Sequence, residues 1–370
     1  MKTNCSIIHV VFVCSGLNHP GGLERIITSL SSNLTIYQYK VTLLINDNNA
    51  NSFYPLHEDV STVLLPADFG MGGSKNYIQR KFNFVRDVKG MKKILLHLNA
   101  DFVITTDYIY TVAAYLSGIH KIASLIYWQH GVFDAPKSRM WSFFCKRAYP
   151  KLDAIVVQNN TEKLIFRKYN TNVHVIHNFT EPADQRAPLT TKTILSIAQL
   201  ENHKGIDLLL KAAQIVLKQH PEWKWKLIGR GSLKAEVQQK ILHNNWVGRL
   251  IFQIPESHEL TNEYLHASIY VMTSRREVFG MALIEAMSHG VPCIAFDCET
   301  GPRHIITHNV DGFLVEKENP EKLAEAIKIL MNDEQKRKQF GASAKENVRR
   351  FSSEVIMKKW EDLFDELLKN

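Results

Sequence analysis

Two glutamates, Glu277 and Glu285, stand eight residues apart in the run REVFGMALIEAMSHGVPCIAF, residues 276–296. Between them Gly280 can open a helix, and His289, Gly290 and Pro292 can close it ahead of an apolar strand. A helix rises about 1.5 Å per residue, so the two carboxylates are expected on the order of 10 Å apart. That is too far for sharing a proton. It is roughly the length of a nucleotide diphosphate bridge, which would sit on the backbone amides of Phe279, Gly280 and Met281. Those amides form a helix N-terminus, with free donors and the positive end of the helix dipole.

The elements that must hold such a group alternate strand and helix twice along the chain. In the first half, strands are expected at 7–14, 41–46, 101–106, 122–128 and 153–158, with helices at 22–33, 75–97, 137–148 and 160–169. After the polar, proline-bearing stretch 180–192, the pattern restarts with TILSIA, a helix from Lys204, KWKLIG, a helix from Leu233, RLIFQI and SIYVMT. Continuous apolar strands alternating with helices imply parallel sheets covered on both faces. The expected fold is α/β, with a domain over 1–180 and a second over 181–352. A final amphipathic helix, about 353–370, needs a surface to cover and is expected to pack back towards the first domain. Two such doubly wound, Rossmann-like domains would place a ligand crevice between the carboxyl ends of their sheets. Each half offers a candidate phosphate loop: Gly16, Gly21 and Gly22 after the first strand, and Gly229, Arg230 and Gly231 after KWKLI. Neither completes a dinucleotide or Walker fingerprint.

At 370 residues the length favours two domains, and 45% apolar with 22% charged residues is the composition of a globular protein. The net charge of +8 belongs to residues 1–180, which carry 19 Lys+Arg against 11 Asp+Glu; the remainder balances at 26 against 26. Two clusters hold much of the excess. They are Lys75, Arg80, Lys81, Arg86, Lys89, Lys92 and Lys93, then Lys137, Arg139, Lys146, Arg147 and Lys151, interleaved with Tyr77, Phe82, Phe84, Trp141, Phe143 and Phe144. Basic and aromatic residues together suit an anionic membrane surface; an ordinary solvated face is the plainer alternative. No nucleic-acid-binding fingerprint accompanies the charge, so no nucleic-acid partner is expected. Cys5, Cys14, Cys145, Cys293 and Cys298 are odd in number and lack metal-ligand spacing, which points to reduced thiols in the cytoplasm. No transmembrane helix is expected.

Taken in order, GGLER, His130 in WQHG, VIHNF (175–179), SIAQLENHKGIDLLLKA (196–212), LIGRGSL (227–233) and the two spaced glutamates resemble the retaining, nucleotide-sugar-dependent glycosyltransferases of family 4, which have the GT-B fold. DCETGPRHII (297–306) further resembles members that act on bacterial surface-glycan precursors. The resemblance implies transfer of a hexose or N-acetylhexosamine from a nucleotide sugar, UDP-linked, to a membrane-lipid-linked or polysaccharide acceptor. It implies catalytic roles for His130, Glu277 and Lys204. Donor binding falls to Gly21, Gly22, Gln199, Lys204, Gly229, Arg230, Glu277, Phe279, Gly280, Met281 and Glu285. Lys204 matches a phosphate-binding lysine, Glu285 a ribose-binding acid, and Glu277 a contact to the hexose. Gln199 departs from the family, which usually has an arginine there; the change removes a fixed charge and a bidentate phosphate contact. His19 and Asn178 are further candidates. The chain has no Asp-x-Asp, and neither metal nor cofactor is expected.

The location that follows is cytoplasmic, peripheral at the inner face of the membrane. Two other functions fit the same architecture, a nucleotide-sugar epimerase and a binding protein whose catalysis is weakened at Gln199. A nicotinamide-dependent oxidoreductase would need a full glycine fingerprint with an acid about 20 residues beyond it, which neither loop provides.

Overall fold

Segments such as HVVFVCS, KVTLLIN and TILSI place aliphatic and β-branched residues at consecutive positions, which suits strands buried on both faces. The computed structural model describes residues 7–69, 77–131, 139–255 and 259–369, and in it these segments form two parallel sheets. The chain divides into two units, Met1–Ile176 with Met357–Asn370, and His177–Ile356. Lys75, Lys137, Cys5 and the side chain of Tyr77 lie outside the described residues.

The first unit is built in chain order from β1 (His9–Ser15), α1 (Gly22–Ile36), β2 (Lys40–Asn46), β3 (Ser61–Leu64), α2 (Tyr77–Leu98), β4 (Phe102–Thr105), α3 (Tyr108–Ser117), β5 (Ser124–Trp128), α4 (Arg139–Ala148), β6 (Ala154–Val157), α5 (Asn160–Phe166) and β7 (Val173–Val175). Its seven strands run in the order β3-β2-β1-β4-β5-β6-β7. The fifth strand begins at Ser124 rather than 122, because Gly118, at φ +80°, ends α3 and a 3-10 turn, Ile119–Lys121, intervenes.

The second unit holds β8 (Thr193–Ile197), α6 (Ile206–Gln219), β9 (Lys224–Ile228), α7 (Lys234–His243), β10 (Leu250–Gln253), α8 (Thr261–Leu265), β11 (Ile269–Met272), α9 (Met281–Ser288), β12 (Cys293–Phe296), β13 (Gly312–Val315), α10 (Pro320–Asn332) and α11 (Glu334–Asn347). Its sheet order is β10-β9-β8-β11-β12-β13. Strand order reverses between β1 and β4 in the first sheet and between β8 and β11 in the second. Open α/β sheets bind ligands outside the carboxyl ends of the strands at such switch points.

The last helix, α12 (Ser353–Lys369), begins in the second unit and from Met357 onward belongs to the first. Its apolar stripe is what holds it there. Phe364 stacks on Phe102 with ring centroids 4.5 Å apart, and Trp360, 1% exposed, meets Trp128 edge-on at 5.4 Å. Truncating a buried indole removes its transfer free energy and leaves a cavity. Trp360→Ala is therefore expected to cost about 3–5 kcal/mol, visible as an earlier transition of the first unit in thermal or denaturant unfolding; an unchanged transition would mean that α12 does not support this core.

Candidate functional site

In the second unit the loops that follow β8 and β11 are pressed together at the switch point. Gly205, directly after Lys204, adopts φ +66°, and a Cβ there would lie 2.0 Å from the carbonyl oxygen of Thr273. Only glycine allows that approach. Across the same seam Thr273 Oγ1 donates to the Lys204 carbonyl at 3.0 Å, and the Arg275 amide donates to the His203 carbonyl at 2.8 Å. Arg275 adds a bidentate pair with Asp207 at 2.7 and 2.8 Å and a bond to Glu318 at 3.0 Å.

This seam brings together Lys204 and Glu277, 73 residues apart in the chain. Lys204 Nζ lies 2.6 Å from Glu277 Oε2, with both side chains less than one-fifth exposed. Ser274 Oγ donates to the same oxygen at 3.1 Å. Behind it, Thr300 Oγ1 donates to the Glu277 carbonyl. Gly301, at φ +72°, lies so close that a Cβ there would be 3.0 Å from Glu277 Cβ and Cγ. Glu277 is thus fixed from three loops. Its Oε1 has no hydrogen-bond partner among the described residues.

Gly280 caps α9 at φ +115° without a side-chain bond, and the first amides of the helix have no carbonyl one turn earlier to bind. Phe279 offers its amide here, while its ring is buried between His177 (5.8 Å, stacked) and Phe351 (5.3 Å, edge-on). Met281 is half-buried. Glu285, 4% exposed, lies further along α9 and accepts a hydrogen bond from Tyr264 Oη at 2.7 Å. Tyr264 in turn stacks on His289 at 5.1 Å. Sequence reasoning missed Tyr264, Ser274 and Thr300, since each acts across a fold contact with no local signature.

The glycines after β9 pack closely against the loop that follows β8. A Cβ at Gly229 would lie 1.9 Å from the Ala198 carbonyl oxygen, and one at Gly231 would lie 2.5 Å from that of Leu200. They let the two loops touch backbone to backbone, as the Leu200 amide to Arg230 carbonyl bond of 2.7 Å shows. The Ser232 amide and hydroxyl are taken by the Glu201 carboxylate at 2.8 and 2.7 Å. Gln199 and Arg230 are both exposed.

In the first unit, Gly21 caps α1 and Gly22 is its first residue. A Cβ at Gly21 would fall 2.0 Å from Glu24 Oε2, and one at Gly16 would fall 2.1 Å from Asp47 Oδ2. Carboxylates therefore already cover this loop, and a phosphate takes that place only if Glu24 moves. Burial pushes the Glu24 carboxyl up, against the opposing pull of its own amide and of His19. His130 follows β5 in the same unit, 4.1 Å from the Trp128 ring. Its Nε2 is shut off from water without a hydrogen-bond partner among the described residues, and burial pushes the imidazole down to about 3, so it is neutral at pH 7. Asn178 is buried at the start of the second unit.

Cys14, Cys145, Cys293 and Cys298 are free and buried, their thiols pushed up by burial.

Two parallel sheets with ligand groups gathered at a switch point agree with what known proteins resemble this one. Residues 20–184 match Glycosyltransferase Family 4, and residues 178–347 match Glycosyl transferases group 1. The chain is 28% identical over 367 residues to the amylovoran biosynthesis glycosyltransferase AmsD of Erwinia amylovora, covering 96% of this chain and 99% of that protein. It is 24% identical over 371 residues to the Campylobacter jejuni GalNAc-alpha-(1->4)-GalNAc-alpha-(1->3)-diNAcBac-PP-undecaprenol alpha-1,4-N-acetyl-D-galactosaminyltransferase, covering 98% and 99%. In fold it is similar to a mutant of S. aureus TarM crystallised with fondaparinux, alpha-GlcNAc-glycerol and UDP, at TM-score 0.81 and 17% identity, covering 97% of this chain and 100% of that one. The protein is a glycosyltransferase with the GT-B fold. More narrowly, its two halves are a family 4 domain and a group 1 domain.

One further group in the first unit went unnoticed in the sequence. Glu162, 2% exposed, is bound at the start of α5: the N-cap Asn159 Oδ1 accepts from its amide at 2.9 Å, while its Oε2 accepts from the Gln158 amide and Asn159 Nδ2, each at 3.2 Å. Burial nevertheless pushes the carboxyl up from 4.5 to about 8, with the Gln158 amide pulling the other way. A carboxyl raised on folding contributes fully below its unfolded pKa, and that contribution is lost as pH rises through the folded one. Glu162→Gln cannot ionise and keeps the shape. The difference in melting temperature, variant minus wild type, is expected to grow between about pH 4.5 and 8; a difference constant with pH would show that Glu162 is ionised throughout.

Proposed function

We propose that this glycosyltransferase moves a hexose or N-acetylhexosamine, with retention, from a UDP-linked donor to a lipid-linked or polysaccharide acceptor during bacterial surface-glycan assembly. The observation that carries the reading is the Lys204–Glu277 pair at the β8/β11 switch point, with the open N-terminus of α9 following it in the chain. Departure of a diphosphate leaves negative charge that preorganised donors stabilise strongly where water is excluded. In this reading Lys204 and the amides of α9 hold that charge, and Glu277 Oε1 accepts a hydroxyl of the sugar. Glu285 serves the ribose. The acceptor hydroxyl attacks the face from which the diphosphate leaves and gives its proton to the departing oxygen. That course keeps the anomeric configuration and needs neither a dedicated base nor a metal ion. His130, held neutral, acts as a hydrogen-bonding group rather than an acid.

The relatives support each part in their own terms: one acts in amylovoran biosynthesis, one carries an undecaprenol-linked substrate in its name, and one was crystallised with UDP. They also favour transfer over epimerisation. The test is incubation with a panel of UDP-sugars, with and without an undecaprenol-linked acceptor. Acceptor-dependent release of UDP, and a product with the donor's anomeric configuration by NMR, are expected; interconversion of free nucleotide sugars would sink the proposal. Lys204→Ala and Glu277→Gln are each expected to lower kcat/KM about 10²- to 10³-fold.

The acceptor side of the reading includes a peripheral contact with anionic membrane at the cytoplasmic face. Among the described residues no helix is long and apolar enough to cross a membrane. Two helices, however, expose apolar and basic groups together. Phe82 is 70% and Val85 52% exposed on α2 beside Arg86 and Lys89, while Met140 and Phe143 are about half exposed on α4 beside Arg139, Lys146 and Arg147. Phe84 of α2 meets Trp141 of α4 edge-on at 5.7 Å, so the two helices adjoin. Neutralising Lys89, Lys92 and Lys93 together is expected to weaken binding to phosphatidylglycerol vesicles at low salt, the difference fading as salt rises. Unchanged binding would reduce these charges to a solvated face.

A further inference from the structure

The donor reading leaves a charge imbalance at the second switch point. A diphosphate brings about two negative charges, and the positive groups nearby are mostly engaged. Lys204 is paired with Glu277, Arg275 with Asp207 and Glu318, and Arg303 with Asp297 at 2.9 Å; Arg276 has a partner as well. Arg230 differs. Its side chain is exposed, and among the described residues its one hydrogen bond, from Nη2 at 2.6 Å, goes to a neutral acceptor, the Pro255 carbonyl.

Its backbone is fixed by the loop that follows β8. The β8–β9 ladder pairs Ile197 with Ile228 and continues past the strands through the bonds from the Ala198 amide to the Ile228 carbonyl (3.0 Å) and from the Leu200 amide to the Arg230 carbonyl (2.7 Å). In that register Gln199 stands opposite Arg230. Gly229 and Gly231, packed on the Ala198 and Leu200 carbonyls, hold Arg230 in place from both sides. Neighbouring strands lie about 4.8 Å apart, so a cation at 230 and one at 199 start from almost the same point.

We propose that Arg230 adds a second positive charge to the one Lys204 brings to the donor diphosphate, supplying from β9's end the charge that Gln199 does not supply from β8's end. The inference rests on the nucleotide-sugar reading and deepens it: affinity for the diphosphate depends on one exchangeable guanidinium held at a pair of ladder positions.

The experiment measures binding of whichever of UDP, GDP and ADP the wild type holds most tightly, and of the corresponding nucleoside, to the wild type, Arg230→Ala, Arg230→Lys and the double variant Gln199→Arg/Arg230→Ala. Arg230→Ala is expected to raise Kd for the diphosphate about tenfold, a change of about 1.4 kcal/mol, and to leave the nucleoside unchanged. Arg230→Lys is expected to retain part of the affinity, and the double variant to recover it to within about threefold. Unchanged diphosphate binding in Arg230→Ala, an equal loss for the nucleoside, or a double variant no better than Arg230→Ala would each overturn the assignment. A wild type that binds none of the three diphosphates would instead overturn the nucleotide-sugar reading itself.

Discussion

The second unit's chemistry depends on one close contact, the Gly205 backbone against the Thr273 carbonyl. The sheet order makes it possible, because β8 and β11 are neighbours although 71 residues separate the end of one from the start of the other. At that switch point the chain leaves β8 towards α6 and leaves β11 towards α9, so two loops diverge from a common origin. A side chain at 205 would push them apart. Lys204 and Glu277 would then lose their 2.6 Å contact, and the hydrogen bonds of Thr273 and Arg275 across the seam would go with it.

The ion pair so formed is more useful as a positioning device than as a source of stability. Removing two charges from water costs much of what their attraction returns. What the pair does is orient a carboxylate: Lys204 and Ser274 both bind Oε2, while Thr300 and Gly301 fix the backbone and stem of Glu277. A carboxylate held by one oxygen accepts a hydroxyl with the other at little further loss of freedom. The same pairing cancels the charge of Lys204, which is why an uncommitted arginine on a neighbouring strand matters to an anionic donor.

The strands and their alternation with helices were legible in the sequence wherever burial on both faces wrote an unbroken apolar run, as in β1, β2, β8 and β11. The same signal hid α3. Its residues Val112, Ala113 and Ala114 are all buried, so the segment carries no helical period and merges into the apolar stretch around it. β3 and β7, of four and three residues, are too short to stand out, and β13 with α10 and α11 had no motif to draw attention to them. Among the site residues, Lys204, Glu277 and Gly280 could be singled out because local motifs mark them. Tyr264 could not: its bond to Glu285 spans 21 residues and depends on how α8 packs. Gly229 and Gly231 illustrate a signal that the sequence alone leaves open. A glycine pair after a strand signals close backbone approach, but whether to a phosphate or to another loop is decided by the neighbouring chain, here Ala198 and Leu200.

Taken separately, the two units apply one topology to opposite electrostatics. At the first switch point, Glu24 and Asp47 lie over Gly21 and Gly16, and Asp107 caps α3 beyond β4. That end of the sheet is acidic, although this half of the chain carries the entire net positive charge. The basic residues have been segregated onto the exposed faces of α2 and α4 instead. At the second switch point the acids are matched by Lys204, Arg275 and Arg303, with Arg230 to spare. At the first unit's strand ends Glu24 lies over the N-terminus of α1, whereas at the second unit's the acids stand in ion pairs with bases. Carboxylates in half-buried surroundings are strong hydrogen-bond acceptors, and the basic residues of this unit lie apart from them on α2 and α4. Fold similarity alone does not make that distinction; the charges placed on each sheet's carboxyl ends do.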